Sequence, residues 1–400
     1  MQKPKRVYLD HAATTPVRKE VLDVMLPLFS EQFGNPSSFY QTGQEAQRLL
    51  TQARQTVADC IHADPREIFF TSCGTESDNW AIKGTAEALK KKGRHIITSQ
   101  IEHHAVLHTC QTLEKQGFDV TWLPVDTNGL VDPEAVRQAI RPDTILVSIM
   151  MANNEIGTIE PVETIGSICR EQKILFHTDA VQAAGSVPID VRTLGADMIS
   201  FSAHKLYGPK GVGALYVRKG VRLPNLLDGG AQENNRRGGT ENVAGIVGFA
   251  HAFKLAVSEM PVTSQRLTMM RNDFIKSVMA AIPDTRLNGH PVQRLPNNVN
   301  FSFKYIEGES ILLMLDHFGY ECSSGSACTS GSLDPSHVLL GIGLPHEIAH
   351  GSLRVTLGRE TEAEDLSRMV GDLSKIVARL RELSPLYPAD RQQTDLNQHV

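Results

Sequence analysis

Residues 174–217, ILFHTDAVQAAGSVPIDVRTLGADMISFSAHKLYGPKGVGALYV, decide the fold of this 400-residue chain. They contain short apolar and β-branched runs that predict strands at Ile174–Thr178, Asp197–Phe201 and Gly213–Val217. Runs that are almost continuously apolar are typical of strands covered on both faces of a parallel sheet. Polar residues follow the first two runs, so we expect ligand-binding groups where these strands end.

The same pattern continues toward the N-terminus, where similar runs alternate with helical stretches. Further strands are predicted at Glu67–Thr71, His95–Ser99 and Ile145–Met150. Helices are predicted at Glu76–Lys91, His104–Gln116 and Pro161–Gln172. This alternation indicates an α/β domain built around a mainly parallel sheet.

The pattern changes near Ala250, after which strands and helices are fewer and less regular. A long helix is predicted at Val262–Ala281 and is followed by a polar, proline-rich bridge. Further elements are predicted at Asn298–Phe303, Ser310–His317, Ser352–Leu357 and from Thr361 to about Leu383. This part of the chain predicts a smaller α+β domain.

The composition argues against several classes of protein. Hydrophobic residues make up 41% and charged residues 21% of the chain, as in a folded globular enzyme, and the net charge of -5 offers no basic surface for nucleic acid. We see no apolar stretch long enough to span a bilayer and no signal peptide. The six cysteines are scattered without a CxxC pair, so we expect free thiols in a reducing, cytoplasmic compartment.

Asp179 and Lys205 follow two successive predicted strands. An acid at a strand end can hold a cationic ring nitrogen, and Gln182 follows one helical turn later. Desolvation of an amine at the Lys205 position would make it a Schiff-base nucleophile. An Asp for a pyridinium nitrogen and a Lys for an aldehyde are what pyridoxal phosphate requires. Taken singly, a helix cap and a solvated lysine are the alternative interpretations.

Three further segments could bind an anion or the ring of a cofactor. Gly74 and Thr75 open a helix directly after a strand, which suits phosphate, although N-capping by Thr75 is favoured in isolation. His103 follows a third strand and could stack on a ring and move protons, or lie on the surface. The Gly-rich, cationic segment Arg236–Thr240 suits an anion or an exposed loop.

Residues 322–331, CSSGSACTSG, predict a flexible loop because glycine and serine resist regular structure. Cys328 on this loop is expected to be exposed, whereas structural cysteines are usually buried. For the nearby Cys322, burial at a strand end is favoured over a reactive role. Arg354, inside the predicted strand Ser352–Leu357, could clamp a carboxylate with two hydrogen bonds.

Taken together, these segments resemble the cysteine desulfurases, which are pyridoxal-phosphate enzymes, in the class that includes NifS and IscS. The resemblance spans residues 8 to about 385. It rests on the motifs YLDHAATT (8–15), FGNPSS (33–38), GTESD (74–78), NNE (153–155), SAHK (202–205) and SSGSACT (323–329). Departures are Ala231, Asn234–Asn235 and Cys322, where the family more often has other residues.

The resemblance implies the pyridoxal-phosphate-dependent transferase fold of type I. A large cofactor-binding domain at 15–260 would contain a mainly parallel seven-stranded sheet. Residues 1–14 and 261–385 would form a smaller α+β domain that carries the catalytic-cysteine loop at about 322–335. Residues 386–400 would form a flexible tail. The enzyme would be a homodimer with its active site at the subunit boundary.

The resemblance also implies a role for each candidate residue. Lys205 would be the Schiff-base lysine, Cys328 the sulfur-accepting nucleophile, and His103 the histidine that stacks on the cofactor. Asn154 and Arg354 would bind the substrate carboxylate. The remaining cofactor-binding residues would be Gly74, Thr75, Asp179, Gln182, Ser202, Ala203, His204 and, from the neighbouring subunit, Thr240.

The implied reaction removes sulfur from L-cysteine, giving L-alanine and a persulfide on Cys328. The sulfur would pass to an iron–sulfur scaffold protein of the IscU or NifU type, with Cys328 as a candidate transient cluster ligand and no metal in the isolated chain. The alternatives are a selenocysteine lyase or another fold type I enzyme, neither of which needs a loop cysteine. A metal or sulfur carrier would need clustered ligands. The sequence leaves open nitrogenase maturation, general cluster assembly or tRNA thiolation as the destination.

Overall fold

The computed structural model describes residues 5–324 and 335–388. In this part of the chain the strands are β1 (Val7–Tyr8), β2 (Ile68–Thr71), β3 (His95–Ser99), β4 (Asp119–Leu123), β5 (Thr144–Ser148), β6 (Leu175–Asp179), β7 (Met198–Ser202), β8 (Gly213–Val217), β9 (Thr285–Leu287), β10 (Asn298–Phe303), β11 (Tyr320–Glu321) and β12 (Ser352–Thr356). The helices are α1 (Lys19–Met25), α2 (Pro27–Ser30), α3 (Gln41–Ile61), α4 (Gly74–Leu89), α5 (His104–Lys115), α6 (Pro133–Ala139), α7 (Val162–Gln172), α8 (Val191–Leu194), α9 (Gln232–Asn235), α10 (Val243–Ala281), α11 (Gly308–His317), α12 (His337–Gly341), α13 (His346–His350) and α14 (Ala363–Leu383). Short 3₁₀ turns lie at Pro65–Glu67 and Ala203–Lys205.

The larger sheet has seven strands in the order β2-β8-β7-β6-β5-β3-β4. Strand β8 runs antiparallel to both of its neighbours, whereas the pairs from β7 to β4 are parallel. The prediction of a mainly parallel seven-stranded sheet is therefore confirmed. Strand β4 was missed because it lies at the edge of the sheet, and its half-exposed sequence DVTWL lacks a continuous apolar run.

Apolar layers cover both faces of this sheet. In β8, Ala214 and Tyr216 belong to the core that includes α3 and α10, whereas Leu215 and Val217 point to the core that includes α4 and α5. Because successive side chains in a strand point to opposite faces, both sets must be apolar. This explains the continuous apolar runs in the sequence.

The second unit combines the antiparallel sheet β12-β10-β9 with the parallel pair β1 and β11. Its apolar core contains Val7 and Leu9 together with residues from Leu267 to Val377. Helices α11 and α14 contribute to this core, so the unit is an α+β structure as expected. The domain boundaries at 15–260 and 261–385 stay a prediction.

Helix α10 differs from the prediction, which placed its start at Val262 rather than Val243. The helix continues through Pro261, although an interior proline costs about 3 kcal/mol. Burial offsets this cost, because Phe249 and Phe253 pack in the core of the large sheet and Phe274 packs in the core of the second unit. By length and composition alone α10 could span a bilayer, contrary to expectation, but a core helix passes the same test.

Candidate active site

A cavity of about 410 Å³ lies at the carboxyl ends of the central strands. Asp179 is the last residue of β6 and Ser202 the last residue of β7, and parallel strands bring their ends to one edge of the sheet. Most of the residues predicted for the site line this cavity: Gly74, Thr75, His103, Asn154, Asp179, Gln182, Ser202, His204, Lys205 and Arg354. Residues that line it without having been assigned a role are Ala12, Ala13, Cys73, Asp78, Met150, Ala152 and Val181.

Three predicted site residues are not part of this lining. Ala203 is fully buried, and its backbone N–H donates to the carbonyl of Val212. Thr240 is exposed and lies outside the cavity of its own chain, so its assignment to the neighbouring subunit stays a prediction. Cys328 lies outside the described residues.

One end of the cavity is suited to a phosphate group. Gly74 begins α4, and the first amides of a helix have no partner within it. A Cβ on Gly74 would come within 2.7 Å of the Val181 side chain, so only glycine fits there. The buried hydroxyl of Ser202 has no hydrogen-bond partner among the described residues. Unpaired donors at a helix start are what an anion would satisfy.

Glu76 links the end of the cavity at the start of α4 to the Gly-rich segment that follows α9. Its carboxylate accepts hydrogen bonds from Nε of Arg237 at 2.9 Å and from the backbone N–H of Ser72 at 2.9 Å. Burial opposes ionisation of Glu76, but these donors lower its pKa on balance. The segment Arg236–Thr240 is thereby held beside the start of α4.

The floor of the cavity contains two buried carboxyl groups. Carboxylate oxygens of Asp78 and Asp179 and a ring nitrogen of His103 all lie within 4.8 Å of one another. Burial raises the pKa of Asp179 to about 6, against the effects of the Val181 N–H and of Lys205. Burial and the neighbouring Asp179 raise the pKa of Asp78 well above its usual range. Asp179 is therefore the group that ionises and can face a cationic ring nitrogen.

The N-terminal segment closes the cavity over Lys205. The Nζ atom of Lys205 donates to the carbonyl of Ala13 at 2.7 Å and to that of Ala12. The side-chain amide of Gln182 also donates to Ala12, at 2.9 Å. The Lys205 amine is thus aimed into the cavity by backbone carbonyls, which carry no side-chain signal in the sequence.

His103 stands at the start of α5 as its N-cap. Its Nδ1 accepts a hydrogen bond from the N–H of Ala105 at 3.1 Å, so a proton on the neutral ring lies on Nε2. Burial, together with Lys205, lowers the pKa of His103 to about 4. The imidazole is therefore neutral near pH 7, which suits stacking and proton transfer.

Arg354, at 3% exposure, lies in β12 and brings a positive charge to the opposite side of the cavity. Its guanidinium donates to Asp10 at 2.8 Å and to the carbonyl of Asn154 at 3.0 Å. Its Nε is buried without a partner among the described residues. The guanidinium therefore retains a donor for a carboxylate.

The cysteines of the described residues are free thiols. Cys110 and Cys169 are buried, and Cys60 is partly buried against the large core, which agrees with a packing role. Cys322 is half-buried against the core of the second unit, and burial raises the pKa of its thiol. Cys73 lines the cavity.

Comparisons with known proteins agree with this geometry. Residues 7–369 match the family model described as aminotransferase class-V. A cysteine desulfurase IscS of Methanosarcina thermophila is 58% identical over 96% of this chain and 95% of its own. A solved structure described as a NifS-like protein has a TM-score of 0.88 at 40% identity and covers 94% of this chain and 100% of its own. Another, described as SspA in complex with cysteine, has a TM-score of 0.79 at 40% identity over 88% of this chain and 98% of its own.

The fold and the cavity define a pyridoxal-phosphate-dependent enzyme of fold type I. An unpaired buried hydroxyl beside a helix start, an amine and an ionisable carboxyl in one cavity fit this cofactor. The chain belongs to the class-V aminotransferase family.

Proposed function

We propose that this protein is a cysteine desulfurase, which removes the sulfur of L-cysteine and releases L-alanine. The observation that carries this proposal is the 58% identity to a cysteine desulfurase over nearly the whole of both chains. A structural relative described as a complex with cysteine also supports this substrate.

Different residues of the cavity would bind different parts of the cofactor. Lys205 would hold its aldehyde, Asp179 its ring nitrogen and Gln182 its ring oxygen, with His103 stacked on the ring. Gly74, Thr75, Ser202 and His204 would hold the phosphate, with Thr240 of a second subunit. When bound, pyridoxal phosphate supplies an electron sink for the charge that develops at the substrate α-carbon.

The protein groups would then bind and deprotonate the amino acid. Arg354 and Asn154 would orient its carboxylate, since both line the cavity and Nε of Arg354 has no partner among the described residues. The Nζ atom of Lys205 would take the proton from the α-carbon. The neutral imidazole of His103 would relay protons near the ring.

Cys328 would accept the sulfur. Its thiolate would attack the substrate sulfur, so that a sulfur–sulfur bond forms and the carbon–sulfur bond breaks. The electron pair of the broken bond stays on the carbon skeleton, which takes up one proton at the β-carbon and regains one at the α-carbon to become L-alanine. The enzyme retains a persulfide on Cys328.

Chain length allows Cys328 to reach the cavity. The backbone of Ser323 pairs with that of Arg354, which lines the cavity, through N···O distances of 3.3 and 2.6 Å. Cys328 follows Ser324 by four residues, which span at most about 14 Å. This reach supports the assignment of Cys328 as the nucleophile.

Further parts of the proposal concern the partners. Exposed aromatic side chains at Phe29, Phe33, Phe39 and Tyr40 support a homodimer, because large apolar surfaces are usually covered in solution. A dimer would also bring Thr240 to the active site of the neighbouring subunit. The persulfide would pass to an iron–sulfur scaffold protein. Free thiols throughout the described residues agree with a reducing cytoplasm.

The test is alanine formation from L-cysteine by the wild-type enzyme and by Cys328→Ala. We expect Cys328→Ala to retain the bound cofactor and lose sulfur release, because the thiol acts after substrate binding. Cys322→Ala is the matched control and should retain activity, since its thiol is half-buried in an apolar core. Lys205→Ala should lose turnover and change the absorption of the cofactor. Normal alanine and sulfide release by Cys328→Ala would refute the assignment of the nucleophile.

A further inference from the structure

Only two residues separate helix α12 from the undescribed segment 325–334, which contains Cys328, and the first turn of this helix is bonded to residues next to the active site. Ser336 precedes the helix as its N-cap, and His337 is its first residue. Ser336 follows Cys328 by eight residues (336 − 328). The contacts of this turn therefore determine where one end of the cysteine segment is held.

The first contact is made by His337. Its Nε2 lies 2.9 Å from the carbonyl oxygen of Glu102, and a carbonyl can only accept, so Nε2 carries the proton. The peptide group whose oxygen accepts this bond joins Glu102 to His103. Burial lowers the pKa of His337, so its ring is neutral near pH 7, and it packs against the ring of His104 at 4.8 Å between centroids.

The second contact is made by Ser336. Its hydroxyl donates to Oε2 of Glu155 and at the same time accepts from the backbone N–H of Val338 at 3.1 Å. Glu155 is 3% exposed and directly follows Asn154, whose side chain lines the cavity. This bond therefore ties the start of α12 to the turn that carries a predicted substrate-binding residue.

An apolar cluster lies beneath these two bonds. It contains Val338 and Leu339 of α12 and Ile342 at its end together with Ile101 and Ile156, each at most 1% exposed. Ile101 directly precedes Glu102, and Ile156 directly follows Glu155. The two hydrogen bonds and the apolar cluster thus converge on the same two segments of the active site.

We propose that Ser336 and His337 are positioning residues. They hold the end of the Cys328 segment at a fixed place relative to His103 and Asn154. This inference rests on the proposed role of Cys328 as sulfur acceptor. The backbone pair between Ser323 and Arg354 holds the other end of the segment. The described residues on each side of the segment are thus bonded to residues in or directly next to the cavity lining: Ser323 to Arg354, Ser336 to Glu155 and His337 to Glu102.

The experiment compares His337→Phe with His337→Gln in the cofactor-loaded full chain. Phenylalanine keeps a ring against His104 but loses the N–H donor, whereas glutamine keeps a donor. We expect His337→Phe to slow persulfide formation on Cys328 about fivefold to tenfold, the effect of one hydrogen bond. Rapid quenching and mass spectrometry measure this rate, and His337→Gln should recover most of it. Cysteine binding, measured from the absorption of the cofactor, should change less than persulfide formation.

His108→Phe is the matched control, because His108 contacts the ring of His104 but has no bond to Glu102 among the described contacts. Hydrogen exchange in 335–342 should quicken in His337→Phe and not in His108→Phe, and this readout does not depend on turnover. An unchanged persulfide rate in His337→Phe, or an equal loss in His337→Gln, would overturn the inference. Absence of a persulfide on Cys328 in the wild type would instead refute the proposed function, while hydrogen exchange would still decide the contact of His337.

Discussion

Arg354 illustrates how single residues set the charge of the cavity. A guanidinium at this depth needs a partner, because an unpaired buried charge costs several kcal/mol. Asp10 supplies that partner at 2.8 Å and comes from the opposite end of the chain, 344 residues away. Since one nitrogen of Arg354 has no partner among the described residues, Asp10 stabilises the guanidinium without using all of its donors.

A lysine in place of Arg354 tests its role. Arg354→Lys keeps the charge but loses the planar pair of donors that binds a carboxylate. We expect KM for L-cysteine to rise about tenfold to a hundredfold, the effect of a charged hydrogen bond worth about 1.5–3 kcal/mol. Steady-state alanine formation measures this, and Asn297→Ala, which changes a residue outside the cavity lining, is the control. A KM within twofold of the wild type would contradict the role of Arg354.

Residues differ in how far the sequence reveals them. Asp179 and Lys205 could be predicted as candidates because ionisable side chains at or shortly after the ends of apolar strands are unusual and lie at one edge of a sheet. Asp78 could not be predicted as a site residue, because on α4 it resembles any helical acid until the fold buries it beside Asp179. The carbonyls of Ala12 and Ala13 could not be predicted, since every residue has one and their partner lies more than 190 residues away.

At the scale of elements, the short helix α9 shows how a loop is held. Glu233, Asn234 and Asn235 all have left-handed backbone conformations, with φ between 47° and 62°. Asparagine adopts this conformation more readily than most residues, which explains the departure at Asn234–Asn235. The strain is opposed by Arg54 of α3, which pairs with both carboxylate oxygens of Glu233 at 2.7 Å. The same carboxylate accepts from the N–H of Phe70 in β2.

Removal of this carboxylate charge should destabilise the protein. Glu233→Gln leaves the half-buried Arg54 without its anionic partner, and breaking an ion pair of this kind costs at most about 3–5 kcal/mol. We expect a lower midpoint of thermal unfolding and weaker retention of the cofactor, because the segment Arg236–Thr240 follows directly. Calorimetry and absorption of the cofactor measure the two effects. Glu31→Gln, at an exposed carboxylate, is the control, and equal midpoints for both variants would show that the pair contributes nothing.

Strands and helices could be predicted from the sequence where local composition and burial agree. Strands β3, β8 and β10 were placed with the bounds that the structure shows, because all three contain β-branched, aromatic or other apolar residues and are buried along their whole length. Strand β4 and the first half of α10 were missed. In α10, Pro261 suggested that a helix starts at Val262. Packing of the helix in two apolar cores outweighs the free-energy cost of this interior proline.

At the scale of the whole molecule, helix α10 connects the two apolar cores. A group of exposed apolar residues belongs to neither core and indicates a surface that contacts another chain. Phe33 at 70% and Phe39 at 95% exposure lie between α2 and α3, close in sequence to the exposed Phe29 and Tyr40. A cluster of exposed aromatic residues in one stretch is typical of a protein–protein interface. The exposed Thr240 points to the same conclusion, since its predicted ligand site lies outside its own chain.

The association state tests this surface. We expect light scattering to give a mass twice that of the 44.0 kDa chain for the wild type. Phe39→Asp should shift the mass toward one chain without unfolding, because the side chain has few contacts within its own subunit. Loss of the neighbouring Thr240 should then weaken retention of the cofactor. Leu313→Asp, at a residue 74% exposed on α11, is the control and should leave the mass unchanged. A wild type of single-chain mass that retains cofactor and activity would show that each chain completes its own active site.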